Sequence, residues 1–193
     1  NLDILRPFVF EARGSFETKL TISIESGLAE HFSRPRGVTE WGLNAKGFVG
    51  RSPTSHKDLE WPVEPQGTVV VPHEQLYKVT QDLGFYYGPT FRRIKQASFL
   101  SSACMTTTLV EADKDLRDSY LTDFSGLDAA LHGLFASEEG GITYLSVSRM
   151  MPTRFARVRL LRRGEVATKS VTWTIRRSAT STLVDIDLVD KSG

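Results

Sequence analysis

Three stretches of this chain alternate apolar and polar residues with a period of two. In "KLTISIE" (19–25), Leu20, Ile22 and Ile24 fall on one face, and Lys19, Thr21 and Ser23 on the other. "SVTWTIRR" (170–177) repeats the pattern with Val171, Trp173 and Ile175, and "TLVDIDLVD" (182–190) with Val184, Ile186 and Leu188. Successive strand side chains point to opposite faces, so this period describes sheets with one dry and one wet face, usually antiparallel. "WGLNAKGFV" (41–49), "ASFLSSACMTTTLVEA" (97–112), "ITYLSVSR" (142–149) and "TRFARVRLL" (153–161) read as further strands. "RRGEV" (162–166) reads as a hairpin turn, and the polar "GLAEHFSRPRG" (27–37) as a loop between strands.

Only two stretches carry a helical signal. "PHEQLYKVTQDLG" (72–84) has Pro72 near its start, Gly84 as its stop, and a short apolar stripe of Leu76, Val79 and Leu83. "DFSGLDAALHGLFAS" (123–137) repeats Phe124, Leu127, Leu131, Leu134 and Phe135 at three- and four-residue spacing. A dry sheet face needs a cover, and one hydrophobic helix wrapped by an antiparallel sheet supplies it. The expected class is therefore α+β with a hot-dog architecture. Residues 51–71, rich in Pro, Ser, Gly and charge, read as a surface linker between strands in 1–50 and a fuller α+β unit in 72–193. The first part has no helix of its own, so its sheet face is expected to be covered by something upstream. The chain reads as a piece of a longer polypeptide.

Composition narrows the partners. With 24 basic and 23 acidic residues the net charge is +1, which gives no general attraction to nucleic acid or to an anionic membrane. The one cysteine, Cys104, excludes an internal disulfide and a CxxC metal knuckle, and suits a reducing cytoplasm. No apolar run approaches the ~20 residues that span a bilayer. There is no phosphate loop, no G-x-G-x-x-G and no G-x-S-x-G, so Ser33 and Ser55 sit in no nucleophile elbow. His31, His56 and His73 lack metal-ligand spacing and are expected to be structural or exposed. In "RFARVRLLRR" (154–163) the arginines fit the wet face of a strand or a patch for an acidic partner.

Two features carry chemistry. Asp128 and His132 are four residues apart, so they lie on one side of the second helix, beside its apolar stripe. Burial disfavours a charged carboxylate, and an acid pushed toward neutrality can donate a proton. The pair could equally cap or solvate a helix edge. The second feature is "GFYYGPTF" (84–91), where Phe85, Tyr86, Tyr87 and Phe91 crowd round Gly88-Pro89, a dipeptide foreign to helix and central strand. It is either a turn folded over a core or a backbone corner lining a tunnel.

Taken together these residues resemble the dehydratase domains of modular polyketide synthases. "GFYYGPTF" resembles the family's Y-G-P-x-F motif, and "GLDAALHGLF" (126–135) its helix pattern L-D-A-x-x-H/Q. "EWGLNAKGFV" (40–49) resembles the last strand of a first hot dog, and "SATSTLVDIDLVD" the closing strand of a second. The resemblance spans nearly the whole chain in consistent order. It implies the last strands of an N-terminal hot dog followed by a C-terminal one. It implies loss of water from a β-hydroxyacyl thioester carried on the phosphopantetheine of an acyl carrier protein, with no metal or organic cofactor. Asp128 would be the acid and His132 its support, while Tyr87, Gly88, Pro89, Phe91 and Leu131 would line the substrate channel. Acyl carrier protein, other synthase domains and a second copy of the chain would be the partners. There are two departures. The family's base lies in H-x-x-x-G-x-x-x-x-P, which occurs nowhere here, and Asp123-Phe124 stands where relatives often have His-Pro. A double-bond isomerase, an oxygen-heterocycle cyclase, a silent dimerisation module and a hot-dog thioesterase are the rival readings.

Overall fold

The period-two stretches become two separate five-stranded antiparallel sheets in the computed structural model, which describes residues 1–7, 14–51, 60–112, 122–139, 142–145 and 150–192. The chain divides into two compact units, residues 1–57 with 151–160, and residues 58–150 with 161–193.

The first unit contains β1 (Leu2–Ile4), β2 (Phe16–Ile22), β3 (Leu28–Pro35), β4 (Gly42–Phe48) and the short β10 (Arg154–Phe155), in the order β10-β1-β4-β3-β2. "GLAEHFSRPRG" is thus mostly strand, not loop. Its polar side chains hide a backbone that pairs on both edges, with Leu20 opposite His31 and His31 opposite Ala45. The expected strand 153–161 shrinks to β10, whose Phe155 pairs with Leu2, and so residues 151–160 go with the first unit. Directly paired residues share a face. Leu20 and Ile22 therefore share one with His31 and Ala29, and they remain 63% and 53% exposed. No helix forms among the described residues of this unit. On the opposite face the Lys19 ammonium sits over the rings of Phe32 and Trp41, and Arg34 stacks on Trp41 while holding Glu17 at 2.6 Å.

The second unit contains β5 (Val69–Pro72), α1 (His73–Asp82), β6 (Ile94–Ser101), β7 (Cys104–Leu109), α2 (Phe124–His132), β8 (Ala136–Glu139), β9 (Ile142–Leu145), β11 (Lys169–Arg177) and β12 (Thr182–Val189). Its sheet runs β12-β11-β7-β6-β5, and β8 and β9 pair as a ribbon. The stretch 97–112 is a hairpin of β6 and β7 and not one strand. The expected turn at 162–166 bends at Gly164 but joins no ladder, since β10 ends at Phe155 and β11 starts at Lys169. Of 142–149, residues 146–149 lie outside the described residues. Within 60–68, Glu64 accepts from the Thr106 hydroxyl at 3.2 Å and Trp61 lies under Lys169.

Helix α1 starts at Pro72 as its N-cap and buries Leu76, Tyr77, Val79 and Thr80. Gly84 takes φ 85°, which lets the Phe85 amide reach back to the Thr80 carbonyl and close the helix. Helix α2 is shorter than its sequence pattern. A tight turn at 133–135 follows His132, and strand β8 begins at Ala136. Its most deeply buried positions are small: Ser125, Gly126, Ala129 and Ala130, with His132 and then Gly133. The expected stripe of Leu127, Leu131 and Leu134 is only half-buried. Just past the helix, a Cβ on Gly133 would meet the end of the Met105 side chain of β7. One antiparallel sheet with one buried helix on it is the hot-dog arrangement.

Candidate functional site

The N-terminus of α2 is fixed before its second turn carries any chemistry. Asp123 is the N-cap, and its carboxylate accepts from the Gly126 amide at 2.8 Å. The same carboxylate accepts from Arg93 at 2.6 and 2.7 Å, from the Ser125 hydroxyl at 3.0 Å and from the Ala167 amide at 3.0 Å. Arg93 also donates to the Ser125 hydroxyl oxygen and to the carbonyls of Val110 and Ala167, all at 3.0 Å. Both side chains of the pair are nearly sealed, at 3% and 8% exposure. A buried charge pair is tolerable only with its hydrogen bonds filled, as here. Gly126 belongs to the same design, because a Cβ there would lie 2.5 Å from Asp123 Oδ2 and 3.1 Å from an Arg93 nitrogen. The Asp123 that departs from the family pattern thus has a role of its own.

One turn on, His132 Nε2 lies 2.9 Å from Asp128 Oδ2. The burial expected of the acid falls on its partner. The His132 side chain is 2% exposed, whereas that of Asp128 is 40% exposed. No described residue engages Asp128 Oδ1, so one oxygen faces the histidine and the other is available. The ring of His132 is held on both sides. Tyr87 packs on it with ring centroids 3.9 Å apart, and Tyr77 meets it edge-on at 5.7 Å with its hydroxyl 3.2 Å from Nδ1.

The aromatic corner divides by side-chain direction. Phe85 and Tyr87 turn inward, stacked 6.1 Å apart, with Phe85 also against Phe135, while Tyr86 is 82% exposed. Pro89 opens a single tight turn to Phe91, whose ring lies 5.9 Å from Phe124. Gly88 makes no use of the backbone freedom special to glycine. Its φ of −71° is extended backbone open to any residue, and a Cβ there would meet nothing within 4 Å. Tyr87, His132 and Asp128 therefore come together in space. Gly88, Pro89 and Phe91 follow at the corner, and Leu131 lies half-buried on α2.

Burial, reinforced by the Asp128 carboxylate, pushes the Tyr77 phenol up to about 12 even though the Ile94 amide and Arg92 pull the other way. Burial first, then Asp128 and Tyr77, pushes the Tyr87 phenol up to about 12. Both rings stay neutral through the range in which an acid–base site works. Arg92 stacks over Tyr77 at 5.2 Å and approaches His73 Nε2 at 3.3 Å, and His73 Nδ1 lies 2.7 Å from the Ile94 carbonyl. His73 is thus a structural histidine. Among the described residues no three His, Cys, Asp or Glu side chains gather as a metal site, and no helix is long and apolar enough to cross a membrane. His56 lies outside the described residues. The sequence reading missed Tyr77, hidden in the first helix, and Arg93. Nothing local pointed to Arg93, which folding brings to Asp123 from 30 residues away.

A family model described as the polyketide synthase dehydratase N-terminal domain matches residues 56–193. The chain is 24% identical over 137 residues to the hybrid PKS-NRPS synthetase iccA of Talaromyces variabilis, and the match covers 66% of this chain and 3% of that synthetase. Among solved structures, a trans-AT PKS dehydratase domain from Brevibacillus brevis superposes with a TM-score of 0.75 at 18% identity, over 100% of this chain and 69% of that one. The bifunctional dehydratase-cyclase domain of ambruticin biosynthesis gives 0.67 at 23% identity, over 99% and 68%. These likenesses share the hot-dog fold.

Proposed function

Because the chain belongs to the polyketide synthase dehydratase family, we propose that it takes part in dehydrating a β-hydroxyacyl thioester to an enoyl thioester during polyketide processing. The observation that supports this most is the Asp128–His132 pair at 2.9 Å, with one carboxyl oxygen on the imidazole and no described residue on the other.

The thioester carbonyl acidifies the α-proton, and a base removes it. The β-hydroxyl is a poor leaving group as hydroxide, so it must leave as water. Asp128 supplies that proton. His132 steadies the carboxyl before transfer and donates to the carboxylate after it. Asp128 and His132 sit on one helix, whereas acid and base must flank the substrate, so His132 is not the base. By resemblance the base is the histidine of H-x-x-x-G-x-x-x-x-P, and no residue of this chain is assigned that step. Tyr87, Gly88, Pro89, Phe91 and Leu131 would border the acyl-phosphopantetheine arm. An acyl carrier protein would deliver the substrate, a second copy of the chain would complete a dimer, and the reaction would run in the cytoplasm beside other synthase domains. The chain spans about 3% of the synthetase it matches, which supports neighbouring domains as partners.

The test uses the polypeptide that carries this chain, given a β-hydroxyacyl acyl carrier protein. Mass spectrometry should record loss of one water. Asp128→Asn should slow it by roughly 10²–10⁴-fold, the usual worth of a positioned proton donor. An unchanged rate in the variant removes Asp128 from the chemistry. An unchanged mass in the parent removes dehydration, and chromatography of the products then separates isomerisation or cyclisation from a silent module.

A further inference from the structure

The buried hydroxyl of Tyr77 has more neighbours than protons. It lies 3.2 Å from the Ile94 amide nitrogen, 3.3 Å from the Phe91 carbonyl oxygen and 3.2 Å from His132 Nδ1. A phenol offers one proton and two lone pairs. The amide can only donate, so it occupies a lone pair. The one hydroxyl proton then goes either to the Phe91 carbonyl or to Nδ1, and the choice propagates. If it goes to Nδ1, a neutral imidazole must carry its hydrogen on Nε2. If it goes to Phe91, Nδ1 must carry the hydrogen to satisfy itself against the Tyr77 oxygen, and Nε2 is bare.

The difference matters only while Asp128 holds a proton. An ionised carboxylate accepts and nothing else, so it selects Nε2–H by itself. A protonated carboxyl can also donate, and a bare Nε2 at 2.9 Å would take that hydrogen bond. The proton meant for the leaving hydroxyl would then point at histidine. With hydrogen already on Nε2, Oδ2 can only accept and the acidic proton is turned to Oδ1.

We propose that Tyr77 is a positioning residue for the acid: by donating its hydroxyl proton to Nδ1 it holds His132 in the Nε2–H tautomer and keeps the proton of Asp128 on the substrate side. This rests on Asp128 being the acid. The donors then run in one direction, from Ile94 to Tyr77, from Tyr77 to His132 and from His132 to Asp128. The ring between them has little freedom, pressed by Tyr87 and buried. Tyr77 keeps its proton up to about pH 12, so the donor is present whenever the acid is.

The test reads the tautomer directly from ring-nitrogen chemical shifts of ¹⁵N-histidine-labelled protein. In Asp128→Asn the side chain can donate or accept, so it imposes no tautomer of its own. His132 should stay Nε2–H in this variant and become a mixture in the Tyr77→Phe/Asp128→Asn double variant. An Nδ1–H ring in Asp128→Asn, or a double variant identical to the single one, overturns the proposal. The first of these results needs no change at Tyr77, so a folding defect in the phenylalanine variant cannot mask it. In the dehydration assay Tyr77→Phe alone should lower kcat, with KM little changed. It should add nothing on top of Asp128→Asn. If the parent protein does not dehydrate at all, the role of Asp128 fails, while the tautomer result still judges Tyr77.

Discussion

Tyr77 and Tyr87 are the residues whose ionisation should register in the stability of the whole second unit. Each has its phenol raised from 10.0 to about 12, chiefly by burial. Below pH 10 both are protonated, folded or not, and their contribution is constant. Between pH 10 and about 12 the unfolded chain releases protons that the folded chain retains. Fewer protons bound by the unfolded state means that stability falls as pH rises. Urea unfolding across this interval should show the decline, and Tyr87→Phe should make it shallower. A stability that climbs with pH there would contradict the burial of these phenols. At this scale the sequence was half legible. Asp128 and His132 announced themselves because four residues in a helix is one turn. Tyr77 is 55 residues from His132, and Arg93 is 30 from Asp123. No local pattern links groups that only folding brings together.

Helix α2 is held to its sheet through charge at one end and through small side chains along its length. The Arg93–Asp123 pair joins the start of β6, the chain after β7, the approach to β11 and the helix cap. Removing one partner leaves a buried charge unpaired, at a cost of about 3–5 kcal/mol. Arg93→Met or Asp123→Leu should each lower the urea midpoint heavily, and the double variant should recover much of the loss. If the double variant is as damaged as the sum of the singles, the two residues do not act as a pair. Alternation marked β11 and β12 almost to the residue, and β2 only as far as Ile22, with Ile24 fully exposed in the turn beyond. Strands were misjudged where pairing, not pattern, decides. "GLAEHFSRPRG" has polar side chains on a backbone wanted by two neighbours, and "TRFARVRLL" alternates well but finds a partner only at Arg154–Phe155. The leucine stripe of α2 misled because the helix turns Ser125, Gly126, Ala129, Ala130 and His132 inward and leaves Leu127 and Leu131 half-buried.

On the scale of the whole molecule, two sheets of equal strand number differ in what they enclose. The second covers its own helix, and its core extends from Val71 to Ala167. The first leaves Leu20 and Ile22 open. The one thiol of the chain, Cys104, lies in the middle strand of the second sheet, opposite Trp173, at 6% exposure. Burial raises its pKa, so the reactive thiolate is scarce as well as inaccessible. A thiol reagent can reach it freely only when the packing around the start of β7 opens. Labelling should therefore be slow in native buffer and should accelerate with urea in step with hydrogen exchange of the β7 amides. Labelling at the speed of a free thiol would mean that this strand is not closed. The chain thus contains a clock of its own, a single sulfur whose ageing in reagent counts the openings of the helix-bearing half and is silent about the other.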